Sequence, residues 1–312
     1  MQVPEPALAT LSHTRFWKPG WVYERKLDGQ RVLAVRDENG VRLYSRSGRN
    51  VTAAFPEVAE ALAEQQTPAF VVDGEVVAFE GSRTSFARLQ PRIQVNNAAR
   101  ARRSGVAVFY YVFDVLEIDG TDQRRQPLLE RKRRLRKLLR WESPLRSTPH
   151  RVKGDEDWFA EICGAGWEGL IAKRADATYR SGRTDAWLKF KCEAGQELVV
   201  VGWTDPEGSR VALGALLLGY HDGDDLVYAG KVGTGFSREI LRDLHGRLSA
   251  IEVDESPCTR GKLPRNGVHW ARPELVAEVA FTEWTTAGQL RHPRYLGLRN
   301  DKDADDVGRE AR

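Results

Sequence analysis

A lysine with the setting of a nucleophile stands between two β-type segments near the start of the chain, in the sequence Glu24-Arg25-Lys26-Leu27-Asp28-Gly29-Gln30-Arg31. The flanking segments, Trp21 to Arg25 and Gln30 to Arg36, indicate strands, and the Asp-Gly pair indicates a turn. A lysine is mostly protonated at neutral pH, but burial or a neighbouring cation lowers its pKa and frees the amine for covalent catalysis. Lys26 has an arginine on either side. The pattern therefore predicts a reactive lysine at a strand end, with a solvated lysine beside a turn as the alternative.

The first part of the chain alternates short β-type runs with helical patterns. The predicted strands are Trp21 to Arg25, Gln30 to Arg36, Val41 to Ser45, Phe70 to Phe79 and Val106 to Leu116. The predicted helices are Pro56 to Gln65, Leu128 to Arg140 and Asp157 to Ala165. Asp37 to Gly40 has the composition of a hairpin turn. We predict an α+β domain with antiparallel sheets over residues 1–192.

A short polar break, Glu193 to Gln196, precedes a segment of different character. The predicted strands there are Glu197 to Thr204, Arg210 to His221, Asp225 to Val232 and Val276 to Trp284, with one helix at Ser237 to Leu248. Several compact strands with one helix are typical of a small Greek-key barrel of the OB type. We predict an OB-fold β-barrel domain over residues 193–312.

The charge distribution says more than the net charge. The chain has 48 basic and 44 acidic side chains, a net charge of +4, which is a weak indication of a polyanionic partner. The segment from Arg124 to Arg140 is much more basic, and its leucines share one helical face. It predicts an amphipathic helix with a cationic outer face, which includes Arg131, Arg133, Arg134 and Arg136. That face either contacts DNA or is simply solvated.

Cysteine usage and hydropathy indicate the compartment. Cys163, Cys192 and Cys258 are odd in number and lack a CxxC spacing, so we predict neither a disulfide framework nor a zinc site. The N-terminus has no signal-like segment, and the apolar run Val211 to Tyr220 is too short to span a bilayer. We therefore expect a cytoplasmic protein without a membrane partner.

Further short motifs follow Lys26 in a fixed order. They are Ser45-Arg46-Ser47-Gly48, Asp73-Gly74-Glu75, Phe113-Asp114, Glu168-Gly169-Leu170-Ile171-Ala172-Lys173, Trp187-Leu188-Lys189-Phe190-Lys191 and Arg299-Asn300-Asp301-Lys302. The series resembles the covalent nucleotidyltransferase superfamily of ATP-dependent DNA ligases, RNA ligases and mRNA capping enzymes. The resemblance covers nearly the whole chain, and the joint match is far more specific than any single motif.

The resemblance implies roles for residues around the nucleotide. Lys26 becomes the nucleophile that is adenylylated by ATP. Glu24 would face the adenine, and Phe113 would stack on it, with an ordinary core phenylalanine as the alternative. Arg31 and Arg46 would hold the phosphate and the ribose edge, with surface arginines as the alternative.

It also implies residues for the metal and the triphosphate. Glu75 would accept the ribose hydroxyls or orient a metal, and Glu168 would help coordinate Mg²⁺, with Mn²⁺ as an alternative ion; carboxylate oxygens suit either role. Positive charge on the triphosphate would come from Arg183, Lys189 and Lys191. Alternation along a strand puts Lys189 and Lys191 on one face and the apolar residues of the same motif on the other. An anion between the two lysines would relieve their repulsion. Arg299 and Lys302 would meet the β and γ phosphates after domain closure.

The C-terminal segments narrow the resemblance within the superfamily. Glu278 to Trp284, Gly288 to Pro293 and Gly297 to Arg299 look like the ligase domains of bacterial end-joining ligase D and related small stand-alone ligases. NAD-dependent ligases instead carry a four-cysteine zinc module, which three scattered cysteines cannot form.

This resemblance implies a monomeric, nucleoid-associated enzyme that seals 5′-phosphate/3′-hydroxyl nicks through lysyl-AMP and an adenylylated DNA. Its expected partners are nicked or broken duplex DNA and a Ku-type end-binding protein. The alternatives are an RNA ligase and a non-catalytic nucleic-acid-binding OB protein. The second is disfavoured because Lys26, Glu75, Glu168, Lys189 and Lys302 are all present.

Overall fold

The computed structural model describes residues 4–12, 14–93, 95–192, 194–206, 208, 210–281 and 283–310. The chain folds into two compact units, Met1–Cys192 (unit 1) and Glu193–Arg312 (unit 2). Glu193, in the predicted polar break, and Thr282, in the predicted C-terminal motif, lie outside the described residues.

Unit 1 combines two large sheets and a small two-stranded sheet, formed by Phe79–Glu80 and Arg83–Thr84, with five α-helices among its described residues. Its strands are β1 (Ala7–Leu11), β2 (Trp21–Arg25), β3 (Gln30–Asp37), β4 (Gly40–Ser45), β5 (Phe70–Val77), β6 (Phe79–Glu80), β7 (Arg83–Thr84), β8 (Phe109–Ile118), β9 (Thr121–Asp122), β10 (Leu145–Ser147), β11 (His150–Arg151), β12 (Gly169–Arg174) and β13 (Gly182–Lys191). Its helices are α1 (Pro56–Ala63), α2 (Phe86–Ile93), α3 (Ala98–Arg103), α4 (Leu128–Leu138) and α5 (Glu156–Gly164), with a 3-10 turn at Thr52–Ala54.

The two large sheets of unit 1 are mainly antiparallel. One has the order β1-β13-β12-β2-β11, and the other has the order β10-β8-β5-β3-β4 with β9 added to β8. Only the edge pairings β1–β13 and β8–β10 are parallel among the described strands. The predicted α+β class with antiparallel sheets is confirmed.

Strand β3 shows why the sheets pack face to face. Val32 and Ala34 are buried in a cluster with residues of α1 and α2. Leu33 and Val35, which point to the opposite face, are buried with Trp187 of β13. Because successive side chains alternate in direction, a strand buried on both faces reads as a continuous apolar run. The β2-containing sheet buries its own far face against α5.

Helix α4 corrects the predicted cationic face. Arg131 is fully buried, and its guanidinium donates to both carboxylate oxygens of Asp114 at 2.7 Å. Lys132 is also buried. Arg133 and Arg136 are exposed, as predicted, while Arg133 and Arg134 both pair with Glu130. Contact of this outer face with DNA stays a prediction.

A second correction concerns the cysteines. Cys163 and Cys192 form a disulfide, with Cα atoms 5.4 Å apart, and Cys258 is a buried free thiol. Cys163 lies near the end of α5, and Cys192 directly follows β13. The backbone N–H of Cys192 donates to the Glu168 carbonyl, 3.1 Å away, which holds the end of β13 beside the segment that follows α5. Spacing along the chain does not reveal such a meeting, so the prediction of no disulfide was wrong.

Unit 2 is built on one long strand pairing. Its strands are β14 (Ala194–Thr204), β15 (Leu216–Asp222), β16 (Asp225–Val232), β17 (Glu252–Val253), β18 (Val268–Phe281), β19 (Glu283–Trp284), β20 (Leu290–Arg291) and β21 (Arg294–Leu298). Its helix is α6 (Arg238–Ser249), and a 3-10 turn covers Ala304–Asp306. The sheet order is β16-β15-β14-β18-β17, with β21 also on β18.

The sheet of unit 2 buries both faces. Leu198 and Val200 of β14 pack into a cluster with α6, while Val199 and Val201 pack into a second cluster on the other face. Register shifts in both pairings of β14 between Val200 and Gly202 mark a bulge, which bends the strand and favours closure into a barrel. The predicted OB-type domain is confirmed. No helix in the described part of the chain is both long enough and apolar enough to cross a membrane.

Candidate active site

Three neighbouring strands bring the predicted nucleophile and the predicted phosphate-binding lysines to one sheet end. The backbone N–H of Lys26 donates to the Gly169 carbonyl at 2.8 Å, and Gly169 of β12 lies opposite Lys191 of β13. Two residues further along these strands, Glu24 lies opposite Ile171, which in turn lies opposite Lys189. Register alone therefore groups residues from three separate motifs.

Glu168 forms an ion pair with Lys26, joining its Oε1 atom to Nζ of the lysine. Both side chains are partly exposed, at 20% for Lys26 and 23% for Glu168. The turn that delivers Glu168 depends on Gly169, whose φ is +138° and whose Cβ, if present, would lie 2.0 Å from the Phe190 carbonyl oxygen. Any other residue at 169 would displace either the carboxylate or β13.

Asp28 has a structural role that the sequence did not reveal. Its carboxylate accepts a hydrogen bond at 2.8 Å from the backbone N–H of Phe86, the first residue of α2. A Cβ at Gly29 would lie 2.3 Å from the Val76 carbonyl oxygen. The Asp-Gly pair thus fixes the turn after Lys26 against β5 and α2, and so fixes the base of the nucleophile.

Beneath this sheet end, Glu24 lies in a buried charge cluster. Its two carboxylate oxygens are 2.5 Å from Nζ of Lys132 and 2.7 Å from Nζ of Lys173. Burial acts to raise the pKa of Glu24, but the two ammonium groups outweigh it and the pKa is lowered. Burial lowers the pKa of Lys173 to about 8, although Glu24 opposes the shift. Glu24 is therefore held as a carboxylate in a fixed orientation.

Arg31 is bound on one edge to a buried aspartate. Its Nη2 atom is 2.6 Å from Oδ2 of Asp73, and its Nε atom donates to Oδ1 of the same group. The Tyr179 hydroxyl donates to Asp73 at 2.6 Å and accepts from the backbone N–H of Ala7. Burial acts to lower the pKa of Arg31, but Asp73 outweighs it and the pKa is raised. The guanidinium is thus oriented by a buried carboxylate that is itself fixed by a tyrosine.

Phe113 lies between cations in the cluster that joins the two sheets. Its ring centroid is 4.6 Å from the Arg31 guanidinium carbon and 4.2 Å from Nζ of Lys173. The residue is 7% exposed and packs edge-on against Trp187. Its role as an adenine-stacking residue stays a prediction.

The predicted alternation along β13 is only partly correct. Leu188 and Phe190 pack with α5, away from Lys189 and Lys191. Trp187, however, packs in the cluster between the sheets, on the same face as the lysines. The centroid of its ring lies 3.9 Å from Nζ of Lys173. The face that carries the lysines therefore combines aromatic surface with positive charge.

The remaining predicted residues of unit 1 are more dispersed. Glu75 lies on β5 directly opposite Arg31 of β3. Arg46 is half-buried in the turn after β4. Arg183 is exposed at the start of β13, where its guanidinium donates to the Ala9 carbonyl at 3.2 Å. It is six residues, about 20 Å of strand, from Lys189.

Among the described residues no group of three or more His, Cys, Asp or Glu side chains has the arrangement of a metal cage. The carboxylates that the resemblance assigns to the ion are Glu168, which is paired with Lys26, and Glu75. One or two carboxylates, completed by phosphates and water, are the usual protein contribution to a Mg²⁺ site. These two carboxylates therefore fit an ion whose other ligands are water and the phosphate oxygens of a bound nucleotide.

In unit 2 the two predicted phosphate-binding residues are ion-paired. Nζ of Lys302 is 3.2 Å from Oε1 of Glu197. The Arg299 side chain is 12% exposed and donates to Glu278 and to both oxygens of Asp301, each at 2.9 Å. Burial acts to lower the pKa of Arg299, but the carboxylates outweigh it and the pKa is raised well above its ordinary value. These pairs fix the end of the sheet, and phosphate binding by either residue stays a prediction.

Family models match both units. Residues 8–191 match the ATP dependent DNA ligase domain, and residues 209–302 match the ATP dependent DNA ligase C terminal region. The chain is 39% identical over 295 residues to the multifunctional non-homologous end joining protein LigD of Pseudomonas aeruginosa, covering 92% of this chain and 34% of that protein. It is 40% identical over 299 residues to LigD of Mycobacterium bovis, covering 93% of this chain and 37% of that protein.

A solved structure of mycobacterial DNA ligase D complexed with ATP and MES is similar over the full chain. It is 36% identical, covers 98% of both chains and superposes with a TM-score of 0.71. The chain thus spans about a third of the length of the LigD proteins and nearly all of a solved ligase D chain. Together with the strand-end arrangement of its motifs, these matches show that the chain belongs to the ATP-dependent DNA ligase family.

Proposed function

We propose that this chain seals 5′-phosphate/3′-hydroxyl nicks in duplex DNA, using ATP and a covalent intermediate on Lys26. The observation that carries the proposal is the meeting of Lys26, Glu168, Lys189 and Lys191 at one sheet end. A lysine nucleophile beside two further cations is suited to attack on a polyanionic triphosphate, because phosphoryl transfer depends on positioning and charge neutralisation.

The proposed reaction has three steps, each of which is a nucleophilic attack on a phosphorus atom. Nζ of Lys26 forms a P–N bond with the α-phosphorus of ATP, and pyrophosphate leaves with the electrons of the broken P–O bond. The 5′-phosphate oxygen at the nick then attacks the lysyl-AMP, which returns the lysine and gives an adenylylated DNA end. The 3′-hydroxyl finally attacks that end, so that the phosphodiester forms and AMP leaves.

The surrounding residues are proposed to hold the nucleotide during these transfers. Glu24, fixed by its two buried lysines, would face the adenine, and Phe113 would stack on it. Arg31 and Arg46 would bind phosphate and ribose, and Glu75 the ribose hydroxyls. Glu168 is proposed to position Nζ of Lys26 before the attack.

We further propose that Glu168 and Glu75 hold Mg²⁺, with Mn²⁺ as a substitute. The ion would supply charge neutralisation on the phosphate oxygens. In that state Glu168 would exchange its contact with Lys26 for the metal, leaving the amine able to lose its proton. Arg183, Lys189, Lys191, Arg299 and Lys302 are proposed to neutralise the triphosphate.

Non-homologous end joining is the proposed setting, because the LigD relatives carry that description in their names. On this proposal the chain acts on broken as well as nicked duplex DNA, alongside a Ku-type end-binding protein. We propose that it works as a monomer in the cytoplasm, associated with the nucleoid.

The test is a sealing assay on two matched nicked duplexes, one of DNA and one of RNA, with ATP, GTP or NAD as the nucleotide. The proposal predicts sealing of nicked DNA with ATP and much less with the other nucleotides. Preferential sealing of nicked RNA would contradict the proposal and would indicate an RNA ligase. Binding of duplex without sealing under any condition would indicate a non-catalytic binding protein.

A further inference from the structure

A cavity of about 500 Å³ lies in unit 2, between the loop that precedes β15 and the loop that joins β16 to α6. Two arginines, Arg210 and Arg238, line it together with the backbone of Gly233, Thr234 and Gly235. The side chains that line the cavity thus include two cations, and the backbone that lines it includes two glycines. None of the predicted nucleotide-binding residues lies in it.

Arg210 enters the cavity with an unsatisfied donor. Its Nε atom is buried and has no hydrogen-bond partner among the residues that the structure describes. Its guanidinium carbon is 5.6 Å from the ring centroid of Phe236, which also lines the cavity. A buried guanidinium N–H normally has an acceptor, so this donor indicates a site for an anionic or polar ligand.

Arg238 adds a second charge at the opening. It is exposed and is the first residue of α6, where Ser237 caps the helix by accepting from the backbone N–H of Ile240 at 3.2 Å. Within the described chain, neither Arg238 nor Arg210 forms an ion pair. Two guanidinium groups around one opening repel each other until an anion lies between them. A bidentate donor set of this kind suits the array of phosphate oxygens.

The glycine loop that lines the cavity, Gly233 to Gly235, is held in place. Thr234 donates from Oγ1 to the Pro293 carbonyl at 2.9 Å, and its backbone carbonyl accepts at 2.9 Å from the backbone N–H of Tyr295. Gly235 has a φ of +93°, and a Cβ there would lie 2.3 Å from the Tyr295 carbonyl oxygen. The loop is therefore pressed against β21 in one conformation, which lets backbone groups approach a ligand without further ordering.

We propose that this cavity binds one backbone phosphate of the duplex DNA substrate, held by Arg210 and Arg238. The inference rests on the proposed function and adds a DNA-positioning site in unit 2 that takes no part in lysine adenylylation. The cavity is an open groove rather than an enclosed chamber, which suits a polymer that continues on both sides. A phosphate contact of this kind positions the duplex without reading its sequence.

The test uses the full chain carrying Arg210→Gln, Arg238→Gln or both. Arg242→Gln is the matched control, since Arg242 is exposed on the same helix and does not line the cavity. Binding to a fluorescent nicked duplex is measured across a salt series, together with lysyl-AMP formation from ATP alone. The double variant should bind more weakly at every DNA sequence, and its plot of log affinity against log salt should be shallower by about one. The exposed Arg238→Gln substitution should show part of this effect without any risk to the fold.

Lysyl-AMP formation should be unchanged in all variants, which separates this inference from the proposed function. If the wild-type chain formed no lysyl-AMP, the proposed function would fail whatever the salt slopes were. A double variant with the wild-type slope and affinity would overturn the phosphate site. One further result would also overturn it, namely that the substitutions abolish the binding of inorganic phosphate but leave duplex binding intact. That result would indicate a site for a free anion.

Discussion

Buried charge at single positions determines the shape of the proposed nucleotide site. Glu24 and Arg31 were expected to contact the nucleotide, and each already has buried partners. Lys132 and Lys173 pair with the two carboxylate oxygens of Glu24, and Asp73 binds one edge of the Arg31 guanidinium. Such pairs orient a side chain before a ligand arrives. The family resemblance assigned nucleotide roles to Glu24 and Arg31, and those roles stay predictions. Their buried partners come from distant strands and helices, so no local pattern indicated the pairing.

His269 in unit 2 gives a pH-dependent prediction. Its ring nitrogens lie 2.8 Å from Glu252 and 2.9 Å from Asp205, and its ring stacks on Trp203. Hydrogen bonds to Asp205 and then Glu252 raise its pKa above 6.5. Because the folded-state pKa is raised, the stabilisation is fully present below pH 6.5 and is lost as the pH rises through the folded-state value.

The measurement is the melting temperature of the wild type and of His269→Gln across a pH series. The wild type should be the more stable at mildly acidic pH, and the difference should shrink in alkaline buffer. A difference that stayed constant with pH would show that stacking on Trp203, rather than charge, accounts for it. Asp205→Asn combined with Glu252→Gln should remove the pH-dependent part.

Helix α4 shows what the periodicity of a single element can and cannot predict. Leu128, Arg131, Leu135 and Leu138 recur at helical spacing, and all four are buried. The helical spacing therefore indicated that Arg131 is buried. We nevertheless predicted that Arg131 lies on the outer face, because its side chain is charged. What periodicity could not supply is Asp114 of β8 as its partner. Helix α2 was not predicted, because it contains a proline. The buried Arg92 in this helix donates to the carbonyl groups of Ala54 and Val106, and these tertiary contacts help to hold the helix in place.

Replacing Arg131 should test the two faces of α4. Arg131→Met leaves the Asp114 carboxylate buried without its partner and should lower the free energy of unfolding by about 3–5 kcal/mol. Arg133→Met, on the exposed face, should change it by less than about 1 kcal/mol. Denaturant unfolding monitored by tryptophan fluorescence provides the comparison. Adding Asp114→Asn to Arg131→Met should recover part of the loss, and equal losses for the two single variants would contradict the assignment.

The whole chain combines two units with separate cores, and the proposed chemistry draws on both. The order of the motifs predicted the family, and the alternation of short strands with helices predicted the fold class. Several motifs lie within strands, such as Asp73 to Glu75 in β5 and Phe113 in β8. The disulfide between Cys163 and Cys192 was not predictable, since it depends on how α5 and β13 end side by side. The charge-bearing cavity of unit 2 is likewise a property of loops brought together by folding.

Lys302 provides a prediction that involves both units. If it neutralises the departing pyrophosphate, Lys302→Ala should slow the adenylylation of Lys26 strongly, by roughly 10-fold or more, since each 1.36 kcal/mol of lost transition-state stabilisation costs a factor of ten. Sealing of a nick that is already adenylylated involves no pyrophosphate and should be much less affected. Single-turnover rates on ATP and on pre-adenylylated nicked DNA separate the two steps. Equal losses in both would indicate that the Lys302–Glu197 pair simply stabilises unit 2.

The central claim is that Lys26 is the residue that becomes covalently attached to AMP, and one labelling experiment tests it. The full chain is incubated with Mg²⁺ and ATP labelled at the α-phosphate, and the modified peptide is identified by mass spectrometry. Lys173 is the competing candidate, because burial lowers its pKa to about 8. Arginine stays protonated and cannot replace a nucleophilic lysine. We expect label on Lys26 in the wild type and in a Lys137→Arg control, whose exposed lysine lies on α4, and no label in Lys26→Arg. Retention of label by Lys26→Arg, or its location on Lys173, would contradict the account.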